Sequence, residues 1–122
     1  MSSLTTYGIN RSPFVASVSF TPLQALQNYG TLTQVVVGNS AASTWGYLHL
    51  YDAASPAQVV PGTTPPRLMI PVANGQTVSP NLGTGVIFNQ GVVAVAMTTV
   101  NGNVGVATPL AVSLGFNTQP TD

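Results

Sequence analysis

Charge is what this chain has least of. Only Arg11, Arg67, Asp52 and Asp122 carry it, 3% of 122 residues, and there is no lysine and no glutamate. An ordinary soluble domain is about 25% charged. The deficit predicts a surface built from Ser, Thr, Asn, Gln and backbone, much of it turned toward something other than free solvent. Two scattered arginines cannot displace the counterions of a phosphate backbone, which argues against nucleic acid as a partner.

Cysteine is absent as well, so there is no disulfide framework and no thiolate metal site. One histidine and two aspartates are too few ligands for a closed metal site. The longest unbroken apolar run, Val92 to Met97, falls far short of the ~20 residues that span a bilayer, and no basic, then apolar, leader opens the sequence. These features predict a soluble chain with no membrane partner, made in a cytoplasm without a Sec-type signal. Net charge is zero, and nothing repels a second copy.

What is present is a folding composition, 44% hydrophobic and regularly patterned. A chain of this length makes one domain that buries roughly two-thirds of its unfolded surface. The strongest pattern runs from Trp45 to Asp52, where Trp45, Tyr47, His49 and Tyr51 alternate with Gly46, Leu48, Leu50 and Asp52. Period-2 alternation over eight residues marks a strand with two unlike faces. Leu48 and Leu50 suit a core, since they bring no polar atoms that need partners. The aromatic row, whose rings carry polar tips, is expected to face outward or into a subunit contact. Packing between protein chains, cover by the chain's own loops, and stacking on sugars or bases all remain open for it. Ala53 to Pro66 then reads as a long connection, with Pro56, Pro61, Pro65 and Pro66 denying donors to a ladder.

Met1 to Ser12 reads as a polar arm. Phe14 to Phe20 makes a first strand; Leu23 to Asn28 reads as a helical turn or a loop; Leu32 to Val37 is an apolar strand covered on both faces. Arg67 to Val72 contains Pro71 and so belongs at an edge or a bulge. Asn74-Gly75 is a type I′ hairpin signal that should pair Gln76 to Leu82 back onto Arg67 to Val72. Val86 to Phe88, Val92 to Thr98, Val104 to Ala107 and Leu110 to Phe116 follow, with Asn101-Gly102 as another turn signal and a polar tail over 117–122. The domain therefore covers 13–116. About eight short strands without a convincing helix predict an all-β, two-sheet antiparallel β-sandwich of jelly-roll or related Greek-key topology.

Catalytic constellations fail on their own requirements. Paired-carboxylate chemistry needs two carboxylates within about 10 Å, and only Asp52 and the terminal Asp122 are on offer. A Ser-His-Asp arrangement would need His49 beside Asp52, but three residues apart on a strand they point to opposite faces. Gly83-Thr84-Gly85 lacks the lysine and the helix of a phosphate loop. Asn10-Arg11-Ser12 is a chance match to a glycosylation site. No enzymatic activity and no cofactor are expected.

The succession Tyr47-Leu48-His49-Leu50-Tyr51-Asp52-Ala53, Gly62-Thr63 with Pro65-Pro66, Ile70-Pro71-Val72, Asn74-Gly75 and Gly85-Val86-Ile87-Phe88-Asn89-Gln90-Gly91 resembles a recurrent set of small tailed-phage virion proteins. In those chains a strand ending in Leu-Tyr-Asn or Leu-Tyr-Asp leads to a Gly-Thr…Pro connection, an Ile-Pro-Val strand and a Gly-x-x-Phe-x-x-Gly segment. Family members often carry Lys or Arg where His49 stands and are more charged overall. The resemblance implies a virion component without an enzymatic task. It would be a head decoration, or cement, protein on the outer surface of the phage head over joints of the major capsid lattice, commonly as a homotrimer, or a tail, baseplate or fibre accessory. The expected contacts are the N-terminal arm, the Trp45, Tyr47, His49 and Tyr51 face, the 53–66 connection, and the two arginines Arg11 and Arg67. A carbohydrate-binding adhesion module, using the aromatic row on a surface glycan, is the reading from a different class.

Overall fold

The computed structural model describes residues 13–100 and 104–118. Nine strands are formed among these residues: β1 (Phe14–Val18), β2 (Leu23–Gln27), β3 (Gly30–Gly38), β4 (Gly46–Asp52), β5 (Leu68–Val72), β6 (Thr77–Val78), β7 (Val86–Phe88), β8 (Gly91–Met97) and β9 (Leu110–Asn117). The helical element among the described residues is a single 3₁₀ turn at Pro56–Gln58. One sheet, A, runs β1-β9-β3-β6 with β7 also paired to β3, and the other, B, runs β2-β8-β4-β5. All pairings are antiparallel.

With β7 set aside, the strands pair from the middle of the chain outward: β4 with β5, β3 with β6, β2 with β8, β1 with β9. Wrapping that long ribbon brings β9 against β3 and β8 against β4, which closes each sheet. This is a jelly roll.

The core follows from the alternation. Leu48 and Leu50 of β4, Val92, Ala94 and Ala96 of β8, and Ile70 and Val72 of β5 face Phe14 and Val18 of β1, Val35 and Val37 of β3, and Leu110, Val112 and Leu114 of β9 across the sandwich. Asp52 closes β4 electrostatically. The backbone N–H groups of Asn89 and Gln90 donate to its Oδ2 and Oδ1 at 3.0 and 2.7 Å, fixing the turn between β7 and β8. That turn ends at Gly91, φ +141°, where a Cβ would lie 2.5 Å from the Leu26 carbonyl oxygen and 2.8 Å from that of Ala53. Only glycine lets the two carbonyls approach this closely.

Several expectations are corrected. Leu23 to Gln27 is a strand, not a turn or a loop; a register shift between Gln24 and Leu26 interrupts the period that would have revealed it. The Asn74-Gly75 turn does not close a hairpin within one sheet. Only Gly75 has positive φ (+73°), which rules out type I′, and the turn carries the chain from β5 in sheet B to β6 in sheet A. Asn39 holds it there: the Gly75 N–H donates to the Asn39 carbonyl, and the Asn39 N–H donates to the Gln76 carbonyl. Val104 to Ala107 contributes one bridge, Gly105 to Met97, rather than a strand. The arm over 1–12, the Asn101-Gly102 signal and residues 119–122 lie outside the described residues.

Leu48 and Leu50 are fully buried. Truncating either to alanine should remove about 2–5 kcal/mol of stability, read as an earlier urea midpoint with an unchanged slope. A cost near zero for both would mean that the sandwich core lies elsewhere.

Candidate functional site

Strand β4 carries the aromatic row, and the structure divides it. Trp45 is 49% exposed, Tyr47 half-buried, His49 2% and Tyr51 1% exposed. The outward assignment therefore holds at the Trp45 end and fails for His49 and Tyr51, which the chain covers itself. Tyr51 packs with Ala53, Val59, Val93, Val95 and Met97, and Phe20 leans on the group. This is a second apolar cluster on the outer face of sheet B. The 53–66 connection is its lid. Residues Gly62 to Pro66 lie against His49 and Tyr51 around a partly open pocket of about 260 Å³. Thr64 staples the lid, its Oγ1 accepting the Val60 N–H at 2.9 Å while its own N–H donates to the Val60 carbonyl.

Burying two polar rings requires partners for their polar atoms. His49 Nδ1 lies 3.2 Å from the Tyr51 hydroxyl, so each serves the other. His49 Nε2 has no hydrogen-bond partner among the described residues. Burial pushes the His49 pKa below its ordinary 6.5, and backbone groups of Thr99 and Val100 oppose that shift without reaching hydrogen-bonding geometry at Nε2. Burial likewise raises the pKa of the Tyr51 hydroxyl above its ordinary 10.0, so it stays protonated.

The charged residues are used locally. Asp52 accepts the two turn N–H groups already described and does not orient the His49 ring. Arg67 Nε donates to the Ile87 carbonyl at 3.3 Å, tying the start of β5 to β7. Arg11 lies outside the described residues. No three residues from His, Cys, Asp and Glu come together among the described residues.

Among the described residues two surfaces stand out as places to meet a partner. At one end of β4, Trp45 and Tyr47 stack with centroids 6.3 Å apart and planes at 25°, with Trp45 exposed. The other surface is the outer face of sheet A, where Val15, Ser17, Val36, Gly38, Thr77, Ala111 and Ser113 border a shallow groove of about 440 Å³. This face bears no charged side chain among the described residues. Sequence reasoning passed over it, although Val15/Ser17 and Ala111/Ser113/Gly115 already alternate with core residues; small polar side chains look like any solvated face.

Comparison with known proteins finds no matching family model, no similar curated protein and no similar solved structure. No helix among the described residues is long and apolar enough to cross a membrane. Fold alone does not fix an activity, so function has to be argued from these surfaces.

Burial of His49 sets a pH dependence. Its folded pKa is depressed, so the unfolded chain binds the proton first and stability falls as pH drops below about 6.5. Urea midpoints at pH 7.5 and about 5 should differ for the parent protein and converge in His49→Gln; equal dependence in both would assign the loss to another group. Tyr51→Ser should destabilise by about 3 kcal/mol or more, whereas Tyr47→Ser should stay within about 1 kcal/mol. Similar costs at both positions would contradict the division of the aromatic row.

Proposed function

We propose that this chain is a non-enzymatic structural protein of a tailed-phage virion, a cement protein that binds the major capsid lattice on the outside of the head. One observation carries the reading. Among the described residues the charged side chains are two, Asp52 and exposed Arg67, each bonded to backbone of its own fold, and the rest of the described surface is uncharged.

A neutral surface adheres without stripping water from ions, the step that makes charged contacts expensive to bury. On a lattice, many copies in register turn a modest single contact into firm attachment. The resemblance of the Tyr47 to Gly91 segment to small virion proteins supports the same reading, and a rigid jelly roll suits a part that must hold its shape on a shell. Trp45 and Tyr47 are the anchor on this reading, since a preformed aromatic pair brings large contact area at low entropic cost.

That same stack supports one alternative, a carbohydrate-binding module in which the rings receive the apolar face of a sugar. A glycan site ordinarily adds polar side chains converging on the ligand.

The test is cosedimentation of the protein with heads that lack it, at about 0.05 M and about 0.5 M salt, a change that shortens the screening length about threefold. Stoichiometric binding at both concentrations is expected. Trp45→Ser should weaken it about tenfold, a loss of about 1.4 kcal/mol, with no shift in the urea midpoint. No binding to heads, together with retention on a glycan array, would replace the cement reading with the alternative.

A further inference from the structure

Each sheet has two edges, and an unpaired edge is a row of backbone donors and acceptors open to another strand. Three of the four positions are managed. On the β3 side of sheet A the edge is broken into two short pieces, β6 with two residues and β7 with three. In sheet B, β5 contains Pro71, which has no N–H to offer. At the opposite edge β2 is bulged between Gln24 and Leu26, and the Gln24 amide donates to the Leu26, Val92 and Ala53 carbonyls.

Strand β1 has none of these devices. Its five residues run in unbroken register with β9, from Phe14 opposite Leu114 to Val18 opposite Leu110, with no proline, bulge or charge inside it. Among the described residues no strand pairs its other side.

We propose that β1 is a self-association edge: two copies of this chain pair antiparallel through Phe14–Val18, related by a two-fold axis at Ala16. The strand matches itself in that register. Phe14 and Val18 point into the core and Ala16 lies between them, while Val15, 67% exposed, and Ser17 point out. Antiparallel pairing about Ala16 sets Phe14 opposite Val18 of the second copy, Ala16 opposite Ala16, and Val15 opposite Ser17. Apolar side chains meet on the inner face, small ones meet on the outer face, and no like charges oppose one another. The groove beside Val15 and Ser17 then runs on across the junction as one uncharged surface.

Such a contact is isologous and closes at two copies. The free protein is then a dimer rather than the three-fold unit that the resemblance implies. The inference does not rest on binding to heads, and its test uses the isolated full-length chain, so either reading can fail alone.

Light scattering and sedimentation should give the mass of two chains. Val15→Lys with Ser17→Lys places an introduced ammonium opposite another at both cross-strand positions, and should raise the dimer Kd at least about tenfold, since like charges directly opposite destabilise a strand pair. Val15→Lys with Ser17→Asp places each ammonium opposite a carboxylate, and should restore the dimer. Both positions are exposed, so the urea midpoint of the dissociated protein should match the parent's. Amide exchange within β1 of the parent protein should slow as concentration rises through the Kd. A monomer or a trimer at all concentrations overturns the proposal, and so does equal dimerisation of the two double variants.

Discussion

Strand β8 is apolar on both faces, and the rest of the molecule answers to that constraint. Seven consecutive buried residues, Gly91 to Met97, cannot be satisfied by a sandwich alone, because sheet A covers only the Val92, Ala94 and Ala96 side. The Val93, Val95 and Met97 side needs a second cover, and the chain supplies one from Phe20, Val59 and the connection after β4. Sheet B is therefore buried twice and sheet A once. Had β8 alternated with polar residues, the long proline-rich connection would have had nothing to close over, and the aromatic row of β4 would have stayed in the open.

That asymmetry explains what was legible in the sequence and what was not. The sandwich and the Leu48/Leu50 core face follow from periodicity, which reports a strand's faces directly; Leu32 to Val37, expected to be covered on both faces, instead leaves Gln34 exposed and Val36 half-buried on its outer side. Which face a partner covers is a different matter. His49 and Tyr51 looked outward because their polar tips require partners; side by side at i and i+2 on one strand, they partner each other at 3.2 Å. Strand β2 escaped notice because its bulge breaks the period within five residues. The Asn74-Gly75 signal correctly marked a turn, but a local motif cannot tell a hairpin from a crossing between sheets. The hydrogen bonds to Asn39, some 35 residues earlier, decide that.

The scarcity of charge is visible twice over, inside the fold and on its surface. Asp52 and Arg67 do the work of caps, one fixing the β7–β8 turn and the other joining β5 to β7, and contribute nothing to an ion pair between them. His49 is the cost of packing a titratable ring against apolar neighbours with no charge nearby to compensate it. Above its titration range it is a quiet core residue. Below that range it is a buried cation with no charged partner among the described residues, and the lid that covers it lies outside both sheets.

Edges make the same point from another direction. Proteins commonly guard an exposed strand with lysine, and this chain has no lysine to place. It has only conformational guards, a proline in β5, a bulge in β2 and truncation in β6 and β7. An aggregation-prone edge left open by oversight would be expected to be long or strongly apolar. Strand β1 is five residues centred on Ala16, and laid antiparallel on a second copy it sets Phe14 against Val18 and Val15 against Ser17, with no charge in either row. A short, self-complementary, neutral edge admits one partner copy and then has no free side left, which is how a chain without charge can associate and still stop.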